Sequence, residues 1–568
     1  MSGVLSLAPI LLGLQVGFSF VCLSGLQSQI STAFPNVDPT LHLEVLVSLL
    51  STGALVGCPV GGMLCDFWGR KPALLTSAGI IAAGGICMGL ALDFSWLLVG
   101  RLTVGIGVGI GLSANNLFVS ELAPPSSRGR YIALFELSMS FGIGIAYVTP
   151  TILKTLHLSW NVALGVGQAG PAVLLLCLVS ACLPESPHYL FAIGRELEAD
   201  AALRKMRGDI EGAIELASLQ AARGANETAS GHGVDEAQPP LFKRGATGFL
   251  LNTGGGGRLL LVGVALIVCQ QASGQPTAMS YAHALLSALA LDLSQDLEGA
   301  EALGFAACKA LGTWICYATV DTWGRRPLLL LGQLGQLLGL AVALVARLAM
   351  QGGLGGASPF FALSGMCAYV LSYGFGYGGV VWVIMSEMFP AHMRGRCMAV
   401  VVGCNWGLQM LFVGSFLTVL AKLGADGALA IWFGCGVLAL GFCWLAVPET
   451  LATTPEALLE RAGAARAWFA WGRASALAPT LREPLLDAGT TPAARAPRLL
   501  PAASGASFRG RGLGEGEEDA DEDEGYFRQS RLSLSYGGKV DAVSIVSDGL
   551  GDDALKSPPW WRKAQSRE

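Results

Sequence analysis

Charged residues are scarce in this chain. Asp, Glu, Lys and Arg make up only 14% of its 568 residues, whereas soluble proteins average about 25%. Apolar residues account for 52%, and the mean hydropathy is +0.55. This balance argues against a soluble globular protein and indicates a chain that lies largely within a membrane.

Motifs of the common enzyme and metal classes are also missing. The 14 cysteines occur singly with no C-x-x-C pair, and only six histidines are present. Disulfides, zinc sites and other metal sites are therefore not expected, and the absence of a phosphate loop or nucleophile elbow argues against an enzyme. We predict no cofactor. The net charge of −5 is concentrated in an acidic block at 515–524, so it indicates no nucleic-acid partner.

Apolar stretches long enough to cross a lipid bilayer recur along the chain. A helix that spans a hydrocarbon core of about 30 Å needs about 20 mostly apolar residues. The sequence therefore predicts an all-α membrane protein with twelve transmembrane helices. The predicted spans cover residues 4–30, 44–65, 72–92, 96–119, 130–153, 163–183, 258–287, 302–320, 327–350, 359–387, 397–421 and 427–447.

The loops between these spans differ in charge. Eight basic residues of short loops fall on one side of the membrane and three on the other, which predicts that the first side and both termini are cytoplasmic. The first group is Arg70, Lys71, Arg128, Arg130, Arg325, Arg326, Arg394 and Arg396, and the second is Lys154, Arg347 and Lys422.

One polar segment separates the two sets of six spans, and a second follows the last span. Charges at helical spacing within 186–214 predict short surface helices, and residues 222–246 have linker composition. From about residue 475 the tail cannot bury a core, so we expect disorder there. Kinase or trafficking partners of this tail are conceivable. The predicted divisions are a six-helix bundle at 1–183, a cytoplasmic loop at 184–257, a second bundle at 258–450 and a tail at 451–568.

Three motifs occur twice in the same order. Asp66 to Pro72 corresponds to Asp321 to Pro327, S-E-L-A-P at 120–124 to S-E-M-F-P at 386–390, and P-E-S at 184–186 to P-E-T at 448–450. Ordered pairs about 260 residues apart predict two parallel, pseudo-symmetric six-helix repeats, the architecture of the major facilitator superfamily.

The charged residues of these motifs form a second prediction. Each of them either anchors a loop at the membrane surface or belongs to a cytoplasmic ion-pair network that closes when the protein faces outward. The candidates for this gating network are Asp66, Arg70, Glu121, Arg128, Glu185, Asp321, Arg325, Glu387, Arg394 and Glu449.

Over residues 1 to about 455 the motifs resemble the sugar-porter branch of this superfamily. The Q-Q-A-S-G-Q-P segment at 270–276 is similar to the Q-Q-x-[ST]-G signature of the seventh helix. Its ending looks most like the class III facilitative glucose transporters of solute carrier family 2. The resemblance implies a hexose or related polyol as substrate, bound at one central site between the two halves.

The resemblance also implies substrate ligands. Amides both donate and accept hydrogen bonds, and an aromatic face can stack on a sugar ring. The implied ligands are Gln270 and Gln271 on the seventh helix, Asn405 on the eleventh and Trp382 on the tenth, with Trp406 and Gln275 as weaker candidates. Helix-to-helix hydrogen bonds, or packing in the case of the tryptophan, remain the alternative.

Two positions depart from the common pattern. Glu136 on the fifth span and Lys309 on the eighth stand where the family usually has amides, again as in class III members. A lone charge inside the bilayer costs about 2.5 to 3.5 kcal/mol on insertion scales. The family fold places these helices side by side, so we hypothesise that Glu136 and Lys309 form a pair that binds substrate and links the halves.

A third departure concerns energy coupling. Proton-coupled relatives place an acid on the first helix opposite an arginine on the fourth; here Arg101 is present, but Ser19 replaces the acid. The favoured function is therefore facilitated diffusion of a hexose or polyol by alternating access. A proton-coupled sugar or inositol symporter and a transport-deficient sensor remain alternatives. We expect a multi-pass protein of the plasma membrane or of an endomembrane.

Overall fold

A computed structural model describes residues 2–36, 38, 40–122, 128–229, 255–289, 300–352, 358–451 and 453–464. These residues lie in one compact unit, Met1–Leu485. The acidic block and the segment predicted to be disordered lie outside the described residues. Every regular element in the described ranges is a helix, as expected where backbone groups inside a bilayer must satisfy one another within the same segment.

The first half contains seven helices, followed by three in the segment between the halves. Four of the first seven carry an internal proline, which a packed membrane helix tolerates. The helices are α1 (Ser2–Val21), α2 (Gln27–Ala33), α3 (Leu41–Phe67), α4 (Arg70–Gly89), α5 (Phe94–Leu122), α6 (Arg128–Leu156), α7 (Trp160–Cys182), α8 (Pro187–Ala192), α9 (Glu196–Arg207) and α10 (Asp209–Ala229).

The second half repeats this order with more interruptions. The seventh span is divided among three helices, and the tenth contains a π-helical turn at Gly374–Gly378. The helices are α11 (Gly256–Ala272), α12 (Gln275–Ser280), α13 (Ala282–Ala288), α14 (Ala300–Trp323), α15 (Arg325–Gln351), α16 (Ser358–Tyr373), α17 (Gly379–Met388), α18 (Ala391–Val413), α19 (Phe416–Ala446) and α20 (Pro455–Ala464).

The structure supports the predicted number of spans. Within the described residues, eleven helical segments are long and apolar enough to cross a membrane, and a shorter apolar helix covers Leu7–Val21. Together these twelve segments match the twelve transmembrane helices that the sequence predicts.

Several predicted boundaries were wrong. The first span is not continuous over 4–30, because a turn at 22–26 separates α1 from α2. The eleventh ends at Val413 rather than residue 421, and the chain then re-enters a helix that kinks at Gly424, where φ is +69°. Part of the expected linker at 222–246 is helical, since α10 continues to Ala229. Apolar composition alone does not reveal such turns.

Helices within the first half approach one another closely. A Cβ atom at Gly17 of α1 would lie 2.0 Å from the carbonyl oxygen of Met139 in α6. Small residues permit such backbone contacts between membrane helices, where van der Waals packing supplies much of the association energy. Gly17 therefore sets the distance between α1 and α6.

The two halves meet along a seam formed mainly by five helices. Helix α6 packs against α14 and α17, and α3 packs against α18. We call the membrane face with the repeated charged motifs the motif face and the other the opposite face. Both α14 and α16 run from the opposite face to the motif face. Helix α14 ends in one of the repeated motifs, and α16 continues through the π-helical turn and α17 into another.

Gly17→Ala should destabilise the protein by about 1–3 kcal/mol, the usual range for overpacking a tight contact. The matched control is Gly79→Ala in α4, where an added Cβ would meet no atom within 4 Å. Thermal unfolding of the purified protein in detergent measures both variants. Equal melting temperatures for the two would show that α1 and α6 can separate without cost.

Candidate substrate-binding site

The glutamine pair lies at the end of α11, where the helix stops before Gly274. Gln270 and Gln271 are each only 3% exposed. Nε2 of Gln271 donates to Oδ1 of Asn405 on α18 at 2.7 Å, and Nε2 of Gln270 donates to the carbonyl oxygen of Tyr377 at 3.0 Å. The structure thus brings three predicted ligands together in one buried amide cluster.

This amide cluster retains unused hydrogen-bonding capacity. Oε1 of Gln270 and Nε2 of Gln275 are buried and have no hydrogen-bond partner among the described residues. Buried polar atoms normally find partners, so each such exception requires an explanation. One free acceptor and one free donor at the break in the seventh span match the hydroxyl groups of a polyol.

The predicted tryptophan occupies a less polar position. Trp382 on α17 is partly buried and packs against the apolar core of the second half. Trp406, which follows Asn405, is buried, and its ring centroid lies 5.9 Å from that of Phe20 in the first half. Of the two, Trp406 contacts both halves, and its position next to Asn405 is the sequence signal for it.

The two predicted charges lie next to each other across the seam. Nζ of Lys309 on α14 is 3.9 Å from Oε2 of Glu136 on α6, and both side chains are largely buried. One turn further along each helix, the hydroxyls of Ser140 and Thr313 lie 3.3 Å apart. The seam between the halves is therefore polar at this depth.

Arg101 is fully buried in the first half. Its Nη1 donates to the carbonyl oxygen of Ser19 at 2.7 Å and to Sγ of Cys22 at 3.4 Å. Nε and Nη2 have no hydrogen-bond partner among the described groups. The described hydrogen-bond acceptors of this guanidinium are thus a carbonyl and a thiol, and neither is a carboxylate.

Next to Arg101 is a second amide cluster that the sequence analysis missed. Oε1 of Gln168 on α7 accepts hydrogen bonds from Gln15 Nε2 at 2.9 Å and from the Ser19 hydroxyl at 2.7 Å. The available signal was the presence of polar residues inside apolar spans. Spacing along the chain does not show that α1 and α7 bring them together.

The opposite face is closed by hydrogen bonds between the halves, which were also missed. The buried carboxylate of Glu44 on α3 accepts the backbone N–H of Thr418 at 2.6 Å and its hydroxyl at 2.9 Å. The hydroxyl of Tyr147 donates to the carbonyl oxygen of Met279 at 2.5 Å. The hydroxyl of Ser24 lies 3.1 Å from Nδ1 of His283.

On the motif face, the predicted network takes the form of two equivalent clusters. In the first half, Arg70 pairs with Glu121 at 2.5 Å. In the second, Arg325 pairs with Glu387 at 2.7 Å and with Asp321 at 3.1 Å. The pseudo-symmetry of the motifs thus extends to their ion pairs.

The third motif completes each cluster by capping a helix. Glu185 accepts the backbone N–H groups of Arg70 and Lys71 at the start of α4, and Glu449 accepts those of Arg325 and Arg326 at the start of α15. A carboxylate at a helix N-terminus satisfies otherwise unpaired N–H groups and opposes the helix dipole.

The glycine of each turn is required by this capping arrangement. Gly69 and Gly324 have φ angles of +101° and +92°, which residues with a side chain rarely adopt. A Cβ at either position would also lie within 2.8 Å of the capping carboxylate.

The remaining predicted network members are Asp66, Arg394 and Arg128. Asp66 is exposed at the end of α3, within electrostatic range of Arg70. Nε of Arg394 donates to the carbonyl oxygen of Phe389 at 3.1 Å. The side chain of Arg128 lies outside the described residues.

Comparison with known structures supports the fold. A proton:xylose symporter of the major facilitator superfamily, bound to 6-bromo-6-deoxy-D-glucose, superimposes with a TM-score of 0.67. The alignment covers 80% of this chain and 98% of that protein, at 23% identity. Identity at this level shows the fold alone.

Sequence comparison identifies the family. The chain is 29% identical over 455 residues to D-xylose-proton symporter-like 3, chloroplastic, of Arabidopsis thaliana, covering 78% of this chain and 79% of the relative. It is 26% identical over 520 residues to solute carrier family 2, facilitated glucose transporter member 10, of Xenopus tropicalis, covering 77% and 88%. The profile of the family described as "Sugar (and other) transporter" matches residues 5–460. The chain therefore belongs to the sugar transporter family.

Proposed function

We propose that this protein carries a hexose or a related polyol across the membrane by facilitated diffusion. The observation that carries the proposal is the buried amide cluster of Gln270, Gln271 and Asn405, which has a free acceptor and a free donor beside it. A sugar hydroxyl both donates and accepts hydrogen bonds. It would therefore supply the hydrogen bonds that these groups otherwise lack. Gln275, Trp382, Glu136 and Lys309 complete the proposed site.

The charges favour a uniporter over a proton symporter. A proton carrier has to gain and lose a proton during the transport cycle. Arg101 has a carbonyl and a thiol as its described hydrogen-bond acceptors, and the buried Glu136 lies beside the amine of Lys309. The described residues thus offer Arg101 no carboxylate partner, and this is the place where proton-coupled relatives carry their acid.

A symporter remains the second candidate for a specific reason. Glu136 is buried at the seam, and a relative that covers most of this chain is named as a proton symporter. A carboxylate at that place is a second candidate for carrying the proton. The third candidate, a sensor without transport, is favoured by no contact in the structure.

We further propose alternating access about the seam. Opening the opposite face requires breaking the hydrogen bonds from Thr418 to Glu44 and from Tyr147 to Met279. The two clusters on the motif face would hold the loops as each half rocks, with Asp66, Arg128 and Arg394 at their edges. We assign the motif face, both termini, the 184–257 loop and the 451–568 tail to the cytoplasm, and the protein to the plasma membrane, where kinases or trafficking proteins would reach the tail.

Transport by purified protein in proteoliposomes tests the main proposal. We expect labelled hexoses or polyols to equilibrate across the membrane, and the initial rate to be unchanged when the outside is acidified. Accumulation above the outside concentration under an inward proton gradient would establish the symporter instead. Specific binding without any exchange of label would establish the sensor.

Reversing the charge pair tests the seam. Glu136→Lys and Lys309→Glu each place two like charges together, and breaking a buried pair costs about 3–5 kcal/mol. Each single variant should therefore lose most transport and melt at a lower temperature. The double exchange restores opposite charges. It should therefore recover part of the transport rate and part of the melting temperature. A double variant as inactive as the worse single variant would show that the pair has no role.

Gln271→Leu tests the amide cluster. It removes one proposed ligand and leaves Asn405 without its donor, an effect of about 1–3 kcal/mol or about tenfold in affinity. The control is Gln333→Leu, because that buried amide donates to the Gly436 carbonyl at 2.8 Å within the second half. Equilibrium exchange measures the apparent affinity of each variant. An equal loss in the control would point to packing rather than ligand contact.

A further inference from the structure

Two cysteines of the second half lie side by side. Cys308 on α14 and Cys367 on α16 are both partly buried, and the thiol of each interacts directly with that of the other. The two helices run in the same direction. Cys308 and Cys367 fall eight and nine residues after the first residues of their helices, so both lie at a depth of about 12–14 Å from the helix starts.

The contact follows from the close approach of the two helices. A Cβ at Gly312 would lie 2.1 Å from the carbonyl oxygen of Leu371 and 3.1 Å from Cα of Gly374. Cys308 and Cys367 precede Gly312 and Leu371 by four residues each, one helical turn on the same face. The glycine contact therefore holds the two thiols in register. Only cysteines that are this close can form a disulfide without rearrangement of the backbone.

We propose that Cys308 and Cys367 form a reversible disulfide when the protein meets hydrogen peroxide. One thiol is oxidised to a sulfenic acid as the peroxide is reduced to water. The sulfur of the second thiol then displaces the hydroxyl group, which leaves as a second water, and the disulfide forms. A dithiol reductant returns both thiols by exchange.

The position of this link gives it a consequence for transport. Cys308 directly precedes Lys309, and Cys367 lies seven residues before the π-helical turn at Gly374–Gly378. π-helical turns inside α-helices are frequently found at functional sites. A covalent link between α14 and α16 would hold the tenth span against the seam helix. It should therefore slow the cycle.

Mass spectrometry tests the link independently of any substrate. Reduced full-length protein is exposed to hydrogen peroxide, free thiols are alkylated, and peptides are mapped with and without reductant. We expect a reducible cross-link between the peptides containing Cys308 and Cys367. Sulfinic or sulfonic acid at these positions, or a failure to find the linked peptide, would overturn the proposal.

The effect on rate rests on the proposed function and is measured separately. Peroxide should slow hexose exchange by several-fold in the parent protein, and dithiothreitol should restore it. Cys308→Ser and Cys367→Ser should each remove this sensitivity, whereas Cys177→Ser, which alters an exposed cysteine on α7, should not. If peroxide inhibits the serine variants at 308 and 367 as strongly as the parent protein, the proposed effect of the disulfide on transport is wrong. If no sugar is exchanged at all, the proposed function fails while the mapped link still stands.

Discussion

The pairing of Glu136 with Lys309 places two charges in the seam where the halves separate in the proposed transport cycle. Taking either charge out of water alone is costly, and their mutual attraction offsets that cost only while they remain close. The pair thus links the position of α6 to that of α14 directly. The neighbouring hydroxyls of Ser140 and Thr313 extend this polar contact, so the seam can exchange protein contacts for water or substrate without exposing an apolar core.

The repeated motifs show how a duplicated chain supports such motion. In each half, a glycine with positive φ, a capping carboxylate and an arginine join the end of one helix to the start of the next. The same chemistry appears around Gly69 and Gly324. Each turn is stiffened by charge-assisted hydrogen bonds. Rigid loops let a half move as one body, which concentrates the change at the seam.

Much of this organisation was predictable from residue patterns. The apolar spans, the two-fold repeat and the membership of Gln270, Gln271 and Asn405 in a polar site all follow from periodicity, spacing and motif resemblance. The capping roles of Glu185 and Glu449 were harder to predict, because a carboxylate at a loop looks the same whether it pairs with a side chain or with backbone N–H groups. The turns at 22–26 and 414–415 were missed since apolar composition continues through them.

Contacts between distant parts of the chain were not predictable in the same way. Gln168 meets Gln15 across 153 residues, and Glu44 meets Thr418 across 374. No local pattern distinguishes these side chains from polar residues that form hydrogen bonds within their own helix.

The amino-acid sequence by itself determined that the chain spans a membrane as two related six-helix halves, because hydropathy and repeats are local properties. Only the tertiary structure decided which polar groups face one another at the seam, which atoms stay unpaired beside Gln270, and which cysteines touch. Those outcomes depend on the rotation and separation of packed helices, and half a turn of rotation is enough to move a side chain from the seam to the lipid.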